Sequence, residues 1–277
     1  MTRKRIAVAA IAVLLLIVVA FFAFDNRLML RKYTVKDSKL PSGFDGYRIL
    51  FVTDLHCEYF GEGQEEIAAF AEKFAPDAVF FGGDMMDQDL RDFEAVEQLL
   101  MALSDYEIYA VWGNHDRWLG RADFTRLQEL YAEYGVNVLW DDTVILEKNG
   151  DKIALSGADD PPSWNNGSEE YLRENGIAVT PVEGMYNVLL FHRANLFDVI
   201  SDYGFDLVIS GHMHGGQVRI PYICGLVSPT RQWFPKYTSG VYQKDGSKLI
   251  VGRGLGNSVD FPRIFNPPQL VGIVLEK

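Results

Sequence analysis

The five histidines of this chain, His56, His115, His192, His212 and His214, each stand at or just past the end of a short apolar run, in RILFVTDLH, YAVWGNHD, NVLLFH and LVISGHMH. A further run, AVFFGGD, ends on a carboxylate, Asp84. Imidazole nitrogens and carboxylate oxygens are donors for divalent metals and carriers of protons in acid/base catalysis. Their confinement to one kind of place implies that such chemistry is gathered at one edge of the fold. Asp54 and His56 are two residues apart, as are His212 and His214. Side chains so spaced on a strand share a face, so each pair is expected to reach one ion, with Leu55 turned into the core. Gly211, Gly215 and Gly216 give the second pair room to turn. One such pair alone is compatible with a solvent-capped strand end. Two pairs together with Gly82-Gly83-Asp84, Gly113-Asn114-His115-Asp116 and a lone strand-end His192 are not what scattered structural histidines produce.

The elements that must position these residues follow from the pattern. Runs of β-branched and aromatic residues bounded by Gly, Asp or Asn read as buried strands, at 48–53, 78–82 and 108–112. Each leads into a helical pattern: EEIAAFAEKF, FEAVEQLLMAL and DFTRLQELYAEY. Such βα units build a largely parallel sheet, which takes its ligands beyond the carboxyl ends of its strands. Past Val136 the pattern changes to short strands, with TVILEKNGDKIALSG reading as a hairpin around Asn149-Gly150. A helix near residues 169–174, the unit NVLLFHRANLFDVI, the strand LVISG and a β-rich tail (GGQVRIP, TSGVYQ, KLIVGRG, QLVGIVLE) complete the chain. The expected fold is α/β, a four-layer α-β-β-α sandwich of two mixed sheets flanked by helices. The polar loop SWNNGSEE after Pro161 and Pro162 suits a mobile rim.

Residues 6–24 form an apolar stretch without a charge, long enough to cross a membrane, preceded by Arg3, Lys4 and Arg5. The basic cluster places residues 1–5 in the cytoplasm and the rest of the chain on the extracytoplasmic side. A cleaved signal peptide is the rival reading, but AFFAFDN puts Phe21 or Phe22 where cleavage needs small side chains. The expected organisation is an anchor at 6–24, a connector at 25–45, in which TVKDSKLP has the alternation of an edge strand, and one domain at 46–277. A net charge of -12 without a basic stripe argues against a nucleic-acid partner. Two cysteines, Cys57 and Cys224, are no disulfide scaffold and are expected unpaired. Nothing in the sequence signals an oligomeric state.

The ordered set DLH (54–56), GDMMD (83–87), GNHD (113–116), FH (191–192) and GHMH (211–214) resembles the calcineurin-like metallophosphoesterase family, whose motifs run D-x-H, G-D-x-x-D, G-N-H-D/E, H and G-H-x-H. SGHMHGGQVRIP and GRGLGNS are similar to a bacterial branch with exported or membrane-bound phosphodiesterases. The resemblance implies two divalent metal ions, one on Asp54, His56, Asp84 and His214, the other on Asp84, Asn114, His192 and His212, with Asp84 bridging. Oxygen and imidazole donors suit Mn²⁺, Fe²⁺ or Zn²⁺, and the lack of thiolate motifs argues against a closed structural zinc site. Two ions about 3.5 to 4 Å apart can share a hydroxide and clamp phosphoryl oxygens during in-line attack. The resemblance further implies His115 as the acid that protonates the leaving oxygen and Asp87 as the carboxylate that orients it; an N-cap in the following loop is the alternative for Asp87.

Gln88 stands where the phosphoprotein phosphatase branch has Arg, which weakens a protein phosphatase reading. Arg193 is a candidate phosphate contact, with plain solvated surface as the alternative. The implied activity is hydrolysis of a phosphodiester or pyrophosphate bond. The similarity to bacterial UDP-2,3-diacylglucosamine pyrophosphatases points to a lipid-linked or sugar-linked envelope substrate, with Tyr222, Ile223, Trp233, Phe234 and Tyr237 as candidate apolar contacts. The alternatives are a metal-binding membrane scaffold without turnover and a broad phosphomonoesterase. No HxHxDH cluster or HExxH motif offers another hydrolase class.

Overall fold

In the computed structural model, residues 3–162, 167–228 and 231–277 are described. Of the polar loop expected at the rim, residues 163–166 lie outside the described residues. The strands are β1 (Met29–Lys36), β2 (Arg48–Val52), β3 (Ala78–Phe81), β4 (Ile108–Ala110), β5 (Asn137–Val138), β6 (Asp142–Lys148), β7 (Asp151–Gly157), β8 (Tyr186–Arg193), β9 (Leu207–Gly211), β10 (Arg219–Ile220), β11 (Cys224–Gly225), β12 (Gly240–Lys244), β13 (Ser247–Val251) and β14 (Gln269–Glu276). The α-helices are α1 (Arg3–Ala23), α2 (Glu65–Phe74), α3 (Phe93–Ala102), α4 (Asn114–Arg117), α5 (Arg121–Glu133), α6 (Gly167–Asn175) and α7 (Phe197–Ile200).

Two six-stranded mixed sheets form, in the orders β1-β14-β2-β3-β4-β5 and β12-β13-β9-β8-β7-β6. The continuous apolar runs follow from burial on both faces. In β2, Ile49 and Phe51 enter the core between the sheets, while Leu50 and Val52 pack outward against α2, α3 and α5. In β8, Val188 and Leu190 face inward, and Leu189 and Phe191 pack outward with Leu172 of α6 and Phe197 of α7. The layers are therefore helix, sheet, sheet, helix, as the pattern predicts. The β6–β7 hairpin turns at Asn149 and Gly150, whose φ values of 54° and 83° are of the kind that a tight hairpin turn demands.

The segment expected as a connector contributes to the body of the fold. β1 pairs in parallel with β14 over its full length, and Val35, Leu40 and Phe44 enter the core between the sheets. Lys39 reaches Asp206 at 2.7 Å and Asp37 reaches Lys248 at 2.5 Å, so this segment joins both sheets. Helix α1 is different: residues 3–22 are exposed and only Ala23 is buried.

Candidate metal centre

The carboxyl ends of β2, β3, β4, β8 and β9 converge on one spot, and all nine predicted site residues stand there. Asp54 and His56 follow β2, Asp84 and Asp87 follow β3, Asn114 and His115 open α4, His192 is the penultimate residue of β8, and His212 and His214 follow β9. Strand alternation does not place them, and His212 and His214 do not face one ion together, because His214 groups with Asp54 and His56 while His212 groups with Asp84 and His192. β2 ends at Val52 and β9 at Gly211, and the pairs sit in turns whose backbone is left-handed: φ is 53° at Asp54, 47° at His56, 70° at His212 and 45° at His214. Asp84, at 54°, shares this conformation. It is costly for residues with a side chain and persists where surrounding structure enforces it. Here the enforcement is visible, because the loop after β2 is laced to the loop after β3 by Asp54 N–H to Gly83 O (3.0 Å) and His56 N–H to Asp84 O (3.1 Å). The approach is close enough that a Cβ on Gly113 would collide with Asp84 Oδ1, and one on Gly211 with Thr53 Oγ1.

Asp84 lies at the middle. Its Oδ2 is 3.1 Å from His192 Nε2 and 3.7 Å from His56 Nε2, and its Oδ1 accepts the His115 backbone N–H at 2.7 Å. On one side, His56 Nε2 and His214 Nε2 are 3.2 Å apart, and Asp54 Oδ1 is 3.6 Å from His214 Nε2. On the other, His212 Nδ1 lies 3.2 Å from His192 Nε2. Donor atoms of Asp54, His56 and His214 fall within 4.8 Å of one another, as do those of Asp84, His192 and His212. These are trios drawn from the two expected ligand sets, and a third group, His56, Asp84 and His115, links them through Asp84.

Whether a metal fits is answered by atoms that otherwise have nothing to bind. Asp84 Oδ2, Asn114 Oδ1 and His212 Nε2 are buried without a hydrogen-bond partner. Each unmet buried acceptor or donor costs about 1–3 kcal/mol, which a cation among the acceptors removes. Electrostatics agree. Burial alone would lower the His192 imidazole, yet the charge of Asp84 beside it, with Asp54 and Asp160, pushes it up to about 10. Burial, reinforced by Arg193, holds His212 well below the ordinary imidazole value, and burial with the charge of His56 does the same to His214. A neutral imidazole is the form that ligates metal.

Asp87 is shared. Its Oδ2 lies 3.1 Å from His56 Nδ1 and 3.4 Å from His115 Nδ1, while Oδ1 accepts the backbone N–H groups of Asp89 and Leu90. Burial would raise its pKa, but these contacts from His115, His56 and the two amides hold the carboxyl far below its usual range. Oδ1 thus closes the turn at residues 88–90, Oδ2 faces the two imidazoles, and the N-cap of α3 is Asp92 rather than Asp87. His115 retains 14% side-chain exposure, where His56, His192 and His214 have 2% or less, so it is the more open imidazole of the cluster. Burial opposes its protonation, but Asp84 and Asp87 raise its pKa above the ordinary value.

Arg193 departs from both expectations. It is buried and forms a bidentate pair with Asp160, at 2.6 and 2.7 Å, so it is neither solvated surface nor free to bind phosphate. Tyr237 belongs to the core beneath sheet two, whereas Tyr222, Ile223, Trp233 and Phe234 are exposed. Both thiols are unpaired, as expected. Two contributors went unassigned in the sequence. Asp116, the last residue of GNHD, accepts the N–H groups of Asp84 (2.7 Å), Met86 (3.0 Å) and Gly113 (2.9 Å), so it fixes the loops that carry Asp84 and Asn114. Its place in the motif was the available signal. Arg263 is buried, lies 3.2 Å from His214 Nδ1 and donates to Gly256 O; nothing local in FPRIF marks it.

A family model described as calcineurin-like phosphoesterase matches residues 47–216, more than half of the chain. The uncharacterized metallophosphoesterase YkuE of Bacillus subtilis is 29% identical over 251 residues, 88% of this chain and 84% of its own length. YkoQ, also an uncharacterized metallophosphoesterase of Bacillus subtilis, is 28% identical over 80% of this chain and 81% of its own. The phosphodiesterase YaeI of Escherichia coli is 26% identical over 80% of this chain and 78% of its own. With the metal-donor geometry described above, these matches establish that the chain belongs to the calcineurin-like phosphoesterase family of metal-dependent phosphoric ester hydrolases.

Proposed function

We propose that this protein hydrolyses a phosphodiester or pyrophosphate bond of a lipid-linked or nucleotide-sugar envelope substrate, held at the membrane by residues 6–24 with its catalytic domain on the extracytoplasmic side. Asp54, His56, Asp84 and His214 hold one divalent ion, and Asp84, Asn114, His192 and His212 the other, with Mn²⁺, Fe²⁺ and Zn²⁺ as the suited ions. A metal pair supplies a nucleophile at neutral pH and positive charge for the phosphoryl oxygens. Asn114 contributes an oxygen without adding negative charge, which keeps the pocket receptive to phosphate. His115 carries the proton to the leaving oxygen, and Asp87 holds the imidazole in position. The observation that carries this reading is the placement of Asp84 Oδ2 between His192 and His56, buried and without a hydrogen-bond partner.

Support for the anchor comes from α1, 21 residues long and apolar enough to span a bilayer, with its surface left exposed by the domain. At about 1.5 Å per residue it matches the ~30 Å hydrocarbon thickness. The test is turnover by full-length protein loaded with Mn²⁺, Zn²⁺ or Fe²⁺, on bis(p-nitrophenyl) phosphate beside p-nitrophenyl phosphate. Faster release from the diester supports the proposal; faster release from the monoester favours a broad phosphomonoesterase, and no release with any metal leaves a scaffold. Profiling of membrane lipids and nucleotide sugars from cells carrying Asp84→Ala then identifies the substrate as the species that accumulates.

A further inference from the structure

The exposed apolar residues Ile220, Tyr222, Ile223, Trp233 and Phe234 are placed on one small structure. Two short turns of chain follow His214. The first, β10–β11, carries Ile220, Tyr222 and Ile223 at or next to its tip; the second brings Val227 opposite Trp233, with Phe234 N–H bonded to Leu226 O. Tyr222 is fully exposed, and Ile223, Trp233 and Phe234 are 74%, 72% and 63% exposed, values that an aqueous surface ordinarily reserves for polar side chains. Singly exposed apolar residues are unremarkable, whereas a contiguous group marks an interaction surface.

The position of this surface says what it meets. Val218 bridges Ile264, and Arg219 N–H bonds to Ile264 O at 2.9 Å. The next residue, Phe265, donates its N–H to Ala23 O at 2.7 Å, the last residue of α1. The hairpin therefore springs from the same short segment that grips the domain end of the apolar helix. Where α1 leaves the hydrocarbon layer, the hairpin cannot be far from the headgroups. Its composition fits that depth, since Trp and Tyr concentrate at membrane interfaces, where an apolar ring meets a polar edge.

Charge agrees. The chain has 38 acidic residues in 277, yet residues 207–244 contain none and carry Arg219, Arg231, Lys236 and Lys244. Lys236 and Lys244 are engaged by Asp198, and Arg219 is half-buried on Gly215 O and Thr238; Arg231 is exposed beside Trp233. With Asp198 matched by two lysines and no acidic residue within 207–244 itself, this stretch adds little of the chain's negative charge to repel an anionic lipid surface.

We propose that the double hairpin bearing Ile220, Tyr222, Ile223, Trp233 and Phe234 is a membrane-contacting face that dips into the interfacial layer of the leaflet from which α1 emerges. This rests on α1 being a retained anchor. The consequence is orientation: with helix and hairpin as two points of attachment, the domain cannot swing freely. A cleft of ≈ 750 Å³ lined by Arg27, Glu58, Tyr59, Asn257, Phe261 and Arg263 then opens between the anchor's end and the His56 loop, within reach of a phosphate borne on a lipid.

The test uses the full chain reconstituted in phosphatidylcholine–phosphatidylglycerol vesicles. An environment-sensitive NBD label is placed at Tyr222→Cys in a Cys224→Ser background, or at Met101→Cys in the same background as a control on α3. Nitroxide lipids are expected to quench the label at position 222 several-fold more than the control, with a blue shift that the control lacks. Equal quenching at the two positions, or shielding at 222 that scales with protein-to-lipid ratio as a second copy would produce, overturns the proposal. Carbonate-resistant retention on the vesicles scores the anchor separately. If retention fails, the anchor reading falls and the proposal with it; if retention holds, shielding at 222 supports the hairpin contact and its absence overturns that contact alone.

Discussion

Asp87 Oδ2 approaches His56 Nδ1 more closely than it approaches His115 Nδ1, at 3.1 against 3.4 Å. One carboxylate oxygen thus faces a candidate metal ligand and the candidate acid together. Partners on the far nitrogen of a ligating histidine typically set metal affinity by about 10- to 100-fold. Asp87→Asn is accordingly expected to weaken metal binding by about that factor and to lower turnover as well. His115→Ala is expected to lower turnover about 10²- to 10⁴-fold with metal content retained. Metal analysis after gel filtration, paired with bis(p-nitrophenyl) phosphate kinetics, distinguishes them. Full metal retention in Asp87→Asn would show that the His56 contact is incidental.

Arg193 directly follows His192, and its buried pair with Asp160 anchors the end of β8. Removing one partner of a buried pair strands the other charge and costs about 3–5 kcal/mol, whereas replacing both with apolar residues costs much less. Arg193→Ala and Asp160→Ala should each lower the unfolding midpoint strongly, and Arg193→Met with Asp160→Leu should recover most of the loss. Urea unfolding in detergent reads this directly. A raised KM with unchanged stability in Arg193→Ala would return Arg193 to the substrate.

The contrast between these residues explains what could be read from the sequence. His192, Asp84 and Asp54 announce themselves because each ends an apolar run, and strand ends are where such sheets carry ligands. Helix α2 was legible to the residue, since an amphipathic 3.6-residue period leaves little choice. Arg193 was not legible: its burial depends on Asp160, 33 positions away, and no local pattern encodes that meeting. The left-handed turns at Asp54 and His212 were hidden for the same reason, because they are imposed by neighbouring loops rather than by their own residue types. β1 was ambiguous because an edge strand with one buried position in its alternation resembles a linker until its partner, 240 residues later, is known.

Asp37, just past β1, pairs with Lys248 of β13 at 2.5 Å and so ties sheet one to sheet two. Burial opposes the charged form, but Lys248 and the Lys39 amide hold the carboxyl below its ordinary value. A depressed folded pKa gives stability that is present above the unfolded value and is lost as pH falls through the folded one. Asp37→Asn should therefore lower the melting temperature at pH 7, by the equivalent of about 1 kcal/mol at most because the pair is partly exposed. The gap to wild type should close as pH drops below about 4. A gap that stays constant from pH 7 to pH 3 would mean that the effect is packing rather than charge.

Cys57 stands beside His56, where a reactive thiol would compete for metal. It is buried, its Sγ accepts the Asp87 N–H at 3.3 Å, and burial pushes its pKa up to about 11. Since the thiolate is the reactive form, Cys57 should resist alkylation at neutral pH. Cys224, half-exposed on β11, has no such shelter. Iodoacetamide at pH 7.5 is expected to modify one thiol per chain in the native protein and two after denaturation, with peptide mapping placing the first on Cys224. Rapid native labelling of Cys57 would require the β2 and β3 loops to part, and the enforced left-handed turns at Asp54 and His56 would then be transient rather than fixed.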